Sequence, residues 1–139
     1  MLKIFSNGCF DLLHSGHIYL FKTIKETFSE SHLIIGLNSD KSINRIKGYN
    51  RPIISETLRK YNLEAIRYID EVIIFDEDTP YELIKKIKPN IIVKGEDYID
   101  SDIIGSDIVD IGIFKIKNSI DVSTTKIINA IKSINFKIN

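Results

Sequence analysis

The sequence predicts an α/β fold in which helices cover both faces of a parallel β-sheet. Short, wholly apolar runs alternate along the chain with segments whose apolar residues recur at helical spacing. Glycine, proline and polar clusters separate the two kinds of segment. Strands that are apolar on both faces are typical of a sheet interior, and strand–helix alternation favours parallel strands joined by helical crossovers.

Two strands with a helix between them are predicted for the first part of the chain. Leu2–Ser6 is apolar and ends at the turn-forming pair Asn7-Gly8, so it is predicted as a strand followed by a turn. Apolar residues recur at helical spacing from about residue 16, which predicts the first helix. His32–Asn38 contains an uninterrupted apolar run and is the second strand. Residues 39–54 are polar and are predicted as a mobile connection.

A helix, a strand and another helix are predicted for the middle of the chain. Ser55 opens a helix whose mixed apolar face continues to Ile69. Val72–Phe75 is wholly apolar and is predicted as the third strand. The pair Thr79-Pro80 is expected to supply the N-cap and first position of a helix that ends before Pro89.

The last part of the chain completes the sheet. Ile91–Val93 is predicted as the fourth strand and Ile108–Ile116 as the fifth, with a polar connection from Gly95 to Gly105 between them. Ser123 then opens a final helix. The prediction is a single Rossmann-like domain over residues 1–139, with a doubly wound, five-stranded parallel sheet.

Composition limits the classes of partner. Nineteen basic and nineteen acidic side chains give a formal charge of zero, which argues against binding to nucleic acid or to an anionic membrane surface. The apolar runs are far shorter than the ~20 residues that span a bilayer. Cys9 is the only cysteine, and residues 1–8 lack the pattern of a secretory signal. We therefore expect a soluble, cytoplasmic protein in which any anion site is local.

The strongest chemical signal is His14-Ser15-Gly16-His17, at the predicted entrance of the first helix. Two imidazoles three residues apart point the same way, and Gly16 is expected to leave room for a phosphate near the backbone. This arrangement suits phosphoryl chemistry, in which an enzyme supplies positioning and charge stabilisation. The spacing alone is weak, because such pairs also occur by chance on surfaces or as metal ligands.

The last helix offers a second anion site. Ser123, Thr124 and Thr125 open it, where free N–H groups and the positive end of the helix dipole attract anions. The simpler interpretation is a Ser123 N-cap followed by two ordinary threonines. The two interpretations are compatible, because a capped helix end still presents hydroxyl donors.

Further charged residues lie in connections and on helices. Lys47 and Arg51 fall in the connection after the second strand, and Asp97 follows the fourth strand. Ligands of open α/β sheets bind at these strand ends, although charged loop residues are also common on solvated surfaces. Arg59 and Arg67 are interpreted as helix arginines that pair with solvent or with carboxylates.

The run Asn7-Gly8-Cys9-Phe10-Asp11-Leu12-Leu13-His14-Ser15-Gly16-His17 resembles the GxFDxxHxGH motif of the cytidylyltransferase-like nucleotidyltransferase superfamily. The resemblance implies an enzyme that transfers a nucleoside monophosphate from a nucleoside triphosphate to a phosphorylated acceptor. It implies that His14 and His17 contact the triphosphate and stabilise the transition state. Lys47 would reach the phosphates from a flexible loop, as the third catalytic residue. Mg²⁺ would accompany the nucleotide, and no residue is assigned as its ligand.

The same resemblance assigns the remaining site residues. The nucleotide and its phosphates would be bound by Asn7, Gly8, Cys9, Phe10, Gly16, Asp97, Ser123, Thr124 and Thr125. Asp11 and Arg51 would orient the acceptor or a metal ion. For Asp11, a cap between loop and helix is an equally good interpretation.

Within the superfamily, the chain is most similar to the adenylyltransferase domain of ADP-heptose synthesis, which acts on D-glycero-β-D-manno-heptose 1-phosphate. The similarity rests on Lys47-Gly48 with Arg51-Pro52, Glu77-Asp78-Thr79-Pro80, Val93-Lys94-Gly95 with Asp97-Tyr98, Gly105-Ser106, and Ser123-Thr124-Thr125. It implies ATP and a sugar phosphate as substrates, a homodimer, and a separate sugar kinase earlier in the pathway.

Two alternatives remain open from the sequence. Glycerol-3-phosphate cytidylyltransferases, which use CTP, share the histidine motif but usually carry RTxGISTT where this chain has Asn118-Ser119-Ile120-Asp121-Val122 before Ser123. Asp121 also replaces a glycine of the heptose group, and a carboxylate beside a triphosphate is unfavourable unless it points away or meets Mg²⁺. The more distant alternative is a non-catalytic nucleotide-binding or oligomerisation module.

Overall fold

The computed structural model describes residues 1–95 and 102–138, with side chains to residue 134. Its elements are β1 (Leu2–Gly8), α1 (Ser15–Thr27), β2 (Ser31–Asn38), α2 (Asp40–Lys47), α3 (Glu56–Glu64), β3 (Glu71–Phe75), α4 (Tyr81–Ile87), β4 (Ile91–Gly95), β5 (Gly112–Ile116) and α5 (Thr124–Ile138). None of the helices in these described ranges is both long and apolar enough to cross a membrane.

The strands of the described residues form one parallel sheet in the order β3-β2-β1-β4-β5. This confirms the predicted five-stranded, Rossmann-like sheet. The chain runs outward from β1 through β2 to β3, then crosses back to form β4 and β5 on the other side of β1. The strand order therefore reverses between β1 and β4, and ligands of such sheets bind at the carboxyl ends beside that point.

Pairing between β1 and β4 is short. Their backbone register ends at Phe5 and Ile92. One step further along both strands, the hydroxyl of Ser6 donates to the carbonyl of Val93 at 3.0 Å. Side chains therefore replace the backbone ladder as the two strands approach their carboxyl ends.

The sheet buries an apolar cluster on each face. Neighbouring residues of β1 show the division, because Ile4 lies in the cluster packed by α1 and α3, whereas Phe5 lies in the cluster packed by α4. Gly36 in β2 makes room for Phe5, since a Cβ atom at Gly36 would lie 2.6 Å from that ring. Burial on both faces is what the continuous apolar runs of the sequence predict.

The prediction of a mobile connection over residues 39–54 is wrong for its first half. Asp40–Lys47 forms α2, and Ser39 caps it by accepting a hydrogen bond from Ser42 N at 3.1 Å. Ser42 and Ile43 are buried on its inner side. The helix has only eight residues, most of them polar, so its apolar spacing is too short to stand out in the sequence.

Two strand boundaries also differ from the prediction. The turn expected at Asn7-Gly8 is wrong, because β1 continues through both residues in register with β2. The fifth strand starts at Gly112 and not at Ile108. Ile108 instead belongs to a turn in which its N–H donates to Gly105 O at 3.1 Å.

Two helix boundaries shift by a few residues. The third helix ends at Glu64 instead of reaching Ile69, whose N–H donates to Ile66 O in a following turn. The N-cap of α4 is Pro80, so the prediction that Thr79 occupies this position is wrong by one residue. Apolar residues beyond a helix can still face the core, and this extends the apparent helical pattern.

Candidate active site

The histidine pair forms the start of α1. His14 is the N-cap, and its Nδ1 accepts a hydrogen bond from Gly16 N at 3.1 Å. His17 Nδ1 accepts from His14 N at 3.3 Å. The two rings stack with centroids 3.7 Å apart and planes 24° apart. A ring nitrogen that accepts a hydrogen bond carries no proton, so each neutral imidazole has its proton on Nε2.

Burial keeps both imidazoles neutral. It lowers the pKa of His14, and it lowers the pKa of His17 to about 4, with the nearby charge of protonated His14 acting in the same direction. Near pH 7 the start of α1 therefore presents two neutral Nε2–H donors, while the backbone N–H groups of residues 16–18 already donate to His14. Fixed N–H donors of this kind suit an anion that gains charge during a reaction.

Phe10 and two glycines hold the rings in place. Phe10 adopts a positive φ of 46°, and its ring meets His17 edge to face, with centroids 5.1 Å apart. A Cβ at Gly8 would lie 3.1 Å from the Phe10 ring, and a Cβ at Gly16 would lie 3.0 Å from the His14 ring. The His14 ring lies on the side of Gly16 where a Cβ would be, and the prediction that Gly16 leaves room for a phosphate near the backbone stays a prediction.

Asp11 anchors the segment from Gly48 to Ser55 that joins α2 to α3, here called the Arg51 loop. Its carboxylate is almost wholly buried and accepts from Arg51 Nε at 3.0 Å, from Ile53 N at 2.9 Å and from Ile54 N at 2.9 Å. The N-cap of α1 is His14, so Asp11 does not cap that helix. Orientation of the acceptor or a metal ion by Asp11 and Arg51 stays a prediction.

Arg59, on α3, is the residue that the sequence interpretation most underestimated. Its side chain is 0% exposed and lies at the meeting point of several site segments. The guanidinium donates to the carbonyls of Ile54, Cys9 and Asn38 and to Asp40 Oδ1, all at 2.8–2.9 Å. Arg59 precedes the buried Leu63 by one helical turn, and this spacing was the available signal for an inward position.

Lys94 lies beside Asn7 where the strand order reverses. Its Nζ donates to Asn7 Oδ1 at 2.6 Å, which joins the carboxyl ends of β4 and β1. Desolvation lowers the pKa of Lys94 to about 8, while the neighbouring Cys9 acts in the opposite direction. Asn7 was predicted as a site residue, but Lys94 was not. The position of Lys94 at the end of an apolar strand was the sequence signal that indicated a place near the site.

The start of α5 approaches the start of α1 through residues 118–120. Tyr19 Oη and Ser119 Oγ are 3.3 Å apart, and the cap of α5 is present because Ser123 Oγ accepts from Lys126 N at 3.1 Å. A cavity of about 610 Å³ opens between these segments. It is lined by Leu13, His14, Ser15, Ile18, Tyr19, Lys22 and Ile120.

The remaining predicted site residues lie at the start of α5, at the end of α2, or outside the residues that the structure describes. Thr124 and Thr125 form the first turn of α5, where Asp121 forms an ion pair with Lys126. Lys47 is the last residue of α2 and is exposed. Asp97 lies outside the described residues.

A sequence model of the family described as cytidylyltransferase-like matches residues 5–130. The chain is 46% identical over 130 residues to the bifunctional protein HldE of Campylobacter fetus, a match that covers 93% of this chain and 28% of that protein. It is 53% identical over 107 residues to the bifunctional protein HldE of Campylobacter curvus, covering 76% of this chain and 22% of the relative.

A solved structure supports the same grouping. The lipopolysaccharide core biosynthesis protein from Thermoplasma volcanium superposes with a TM-score of 0.72 at 27% identity, covering 86% of this chain and 99% of that one. The chain spans only about a quarter of the length of the two HldE proteins it matches. The family model matches most of the chain, and the histidine pair lies at the expected helix entrance. The chain therefore belongs to the cytidylyltransferase-like family.

Proposed function

We propose that this chain is an adenylyltransferase that transfers AMP from ATP to a sugar phosphate such as heptose 1-phosphate and releases pyrophosphate. The observation that carries the proposal is the stacked pair of His14 and His17, whose Nδ1 atoms are held by backbone N–H groups. The two Nε2–H groups are thereby left as donors at a helix start. Similarity to the HldE proteins supports the choice of ATP and a sugar phosphate.

The proposed reaction needs no covalent enzyme intermediate. An oxygen of the acceptor phosphate bonds to the α-phosphorus, the bond from the α-phosphorus to the bridging oxygen breaks, and pyrophosphate leaves with the electron pair. His14 and His17 donate hydrogen bonds to the phosphoryl oxygens as negative charge shifts. The start of α5, with Ser123, and the side chain of Lys47 hold the β- and γ-phosphates.

Mg²⁺ is part of the proposal as a partner of the nucleotide. It would supply charge neutralisation for the phosphate oxygens. Among the residues that the structure describes, no group of three or more His, Cys, Asp or Glu side chains lies close enough together to form a metal site. Mg²⁺ commonly keeps several waters and binds substrate phosphates with few protein ligands. The proposed role of the protein is therefore to hold the triphosphate that carries the ion.

The proposal also covers the source of the phosphorylated acceptor and the oligomeric state of the enzyme. The relatives are called bifunctional, and this chain matches only about a quarter of their length. We propose that a sugar kinase on another chain or segment makes the phosphorylated acceptor, and that the present domain acts in the cytoplasm as a homodimer. Light scattering of the purified chain gives the oligomeric state directly.

The substrate pair is tested by a matrix of nucleotides and acceptors. ATP, CTP, GTP and UTP are each combined with heptose 1-phosphate and glycerol 3-phosphate, with Mg²⁺, and the reaction is followed by pyrophosphate release and product mass. We expect ATP with heptose 1-phosphate to give the highest kcat/KM. A preference for CTP with glycerol 3-phosphate would identify the cytidylyltransferase alternative, and no turnover with any pair would identify a non-catalytic nucleotide binder.

Nucleotide binding is expected to take up protons. In the free protein, burial lowers the pKa of both imidazoles, that of His17 to about 4. Triphosphate beside the rings raises both pKa values, so the complex holds more protons and affinity increases as pH falls from 7 towards 5. The added proton binds Nδ1, and the hydrogen bond from the backbone N–H to that atom is lost in exchange for the charge on the ring. Calorimetry at pH 6 in buffers of different ionisation enthalpy measures this uptake.

The matched control for proton uptake is His17→Gln, which keeps a terminal N–H donor but does not titrate. Protonation of ATP itself contributes equally to both proteins and cancels in the comparison. We expect smaller uptake for the variant. Equal uptake by the variant and the unmodified chain would show that His17 does not meet the bound phosphates.

A further inference from the structure

A small pocket opens beside the carboxyl ends of β1 and β4, at the point where the strand order reverses. Its volume is about 190 Å³. We call it the switch-point pocket, and the residues that matter for its chemistry are Asn7, Asp78, Thr79, Lys94, Asp102 and Ile103. The space corresponds to about six water molecules in the liquid and is smaller than the ~300–1,000 Å³ of sites for larger organic ligands. It therefore has room for one sugar ring and not for a nucleotide.

The lining of the switch-point pocket matches a ligand rich in hydroxyl groups. Asp78 and Asp102 supply carboxylate acceptors, Thr79 supplies a hydroxyl, and Lys94 supplies an ammonium donor. Hydroxyl groups both donate and accept, so such a mixture satisfies several of them at once. Arg45 pairs with Asp78 from outside the pocket, so the two carboxylates are balanced by Lys94 and Arg45 and no excess positive charge is left to attract a phosphate group. The ligand portion that fits here is neutral and polar.

Hydrogen bonds within the lining and from outside it hold part of the pocket wall in place. Lys94 Nζ is held by Asn7 Oδ1 at 2.6 Å, and this contact determines which end of the Asn7 amide accepts. Asp78 Oδ1 accepts from Arg45 Nε at 2.8 Å. Ile103 is 2% exposed and belongs to the apolar cluster on the α4 face of the sheet. Asn7, Lys94 and Asp78 are therefore held in place beside an apolar surface. An apolar surface of this kind suits the C–H face of a sugar.

The pocket is also close in the chain to the proposed reaction centre. Asn7 precedes Phe10 by three residues, at most about 10 Å of extended chain. Phe10 in turn contacts the ring of His17. A sugar held in the pocket can thus place a phosphate group outside it, towards the imidazoles, where anions are favoured.

We propose that the switch-point pocket binds the hydroxyl-bearing ring of the acceptor, and that Thr79 and Asp102 select this ring. The inference rests on the proposed transfer to a sugar phosphate and adds the place where the sugar is recognised. It divides the acceptor into a neutral part in the pocket and an anionic part at the start of α1.

The test compares the two Michaelis constants of the reaction in Thr79→Val and Asp102→Asn. Loss of a hydrogen bond to the ring should raise KM for heptose 1-phosphate about 10- to 100-fold where the partner is charged, and less for Thr79. KM for ATP should stay within about twofold, because the nucleotide lies elsewhere. Glu82→Gln, a carboxylate change on α4 outside the pocket, is the matched control and should leave both constants unchanged.

Each outcome has a separate meaning. If the unmodified chain releases no pyrophosphate with any sugar phosphate, the proposed function is wrong and the inference falls with it. If it turns over but both variants keep KM for heptose 1-phosphate within about twofold, only the pocket assignment is wrong. A parallel rise in both constants, with an altered circular dichroism melt, would likewise reject ring recognition in favour of a general structural effect.

Discussion

Replacing His14 or His17 by alanine is expected to lower kcat by about 10²–10³-fold, which is the usual effect of removing one donor that stabilises charge in a transition state. Nucleotide affinity should change much less, because the start of α5 and Lys47 hold the triphosphate in the proposed complex. The two rings are stacked and share the hydrogen bonds of one helix start, so the double variant should lose less than the product of the single effects. Single-turnover kinetics with saturating ATP and heptose 1-phosphate measure the chemical step.

His32→Ala is the control for the histidine variants. His32 is half-exposed near the start of β2, at the amino end of the sheet, where its Nε2 lies 3.2 Å from Glu71 Oε2. Its removal should leave kcat unchanged. An unchanged kcat in both His14→Ala and His17→Ala would overturn the assignment of the imidazoles to the reaction.

The parts of the fold that the sequence predicted are those with strong local patterns. Leu33–Leu37 has no polar interruption and is too short for a typical helix, which favours a buried strand, so β2 could be predicted with its place inside the sheet. The histidine motif could be predicted as a helix entrance for the same local reason. In contrast, α2 is short, and the side chains of Ser42 and Ile43 are its only buried ones, so tertiary packing and the Ser39 cap decide its existence.

The contacts that organise the site could not be predicted, because they join residues that are distant in sequence. Asp11 and Arg51 are 40 positions apart, and Lys94 and Asn7 are 87 apart. A carboxylate in a loop motif has the same local pattern whether it meets a substrate or another loop. Only the assembled sheet, which brings the carboxyl ends of its strands to one edge, determines the partner.

Arg59→Met is expected to destabilise the protein by about 3–5 kcal/mol, because three carbonyls lose their shared buried donor and each unpaired buried group costs roughly 1–3 kcal/mol. The guanidinium is the shared donor for Cys9 at the end of β1, Asn38 at the end of β2 and Ile54 in the Arg51 loop. Methionine fills much of the same volume, so the decrease in the free energy of unfolding reflects the lost hydrogen bonds more than lost packing. Urea unfolding followed by circular dichroism measures the change in free energy.

Arg67→Met provides the control for this prediction, because Arg67 is exposed and its guanidinium lies over the Tyr68 ring at 5.4 Å. Surface changes of this kind usually stay within about 0.5 kcal/mol. Arg59→Lys keeps the charge but lacks the fork of donors, so it should recover only part of the stability and remain folded if methionine does not. Stability of Arg59→Lys equal to that of the unmodified chain would show that charge alone suffices.

The position of Arg59 also predicts a catalytic effect. Ile54 is held from two sides, since its N–H donates to Asp11 and its carbonyl accepts from Arg59. Asp11 lies in the loop that leads from β1 to His14, so a shift of the Arg51 loop on loss of Arg59 would be transmitted to the start of α1. We therefore expect folded Arg59→Lys to have a lower kcat at 25 °C. A fully folded variant with unchanged kcat would show that these contacts serve stability alone.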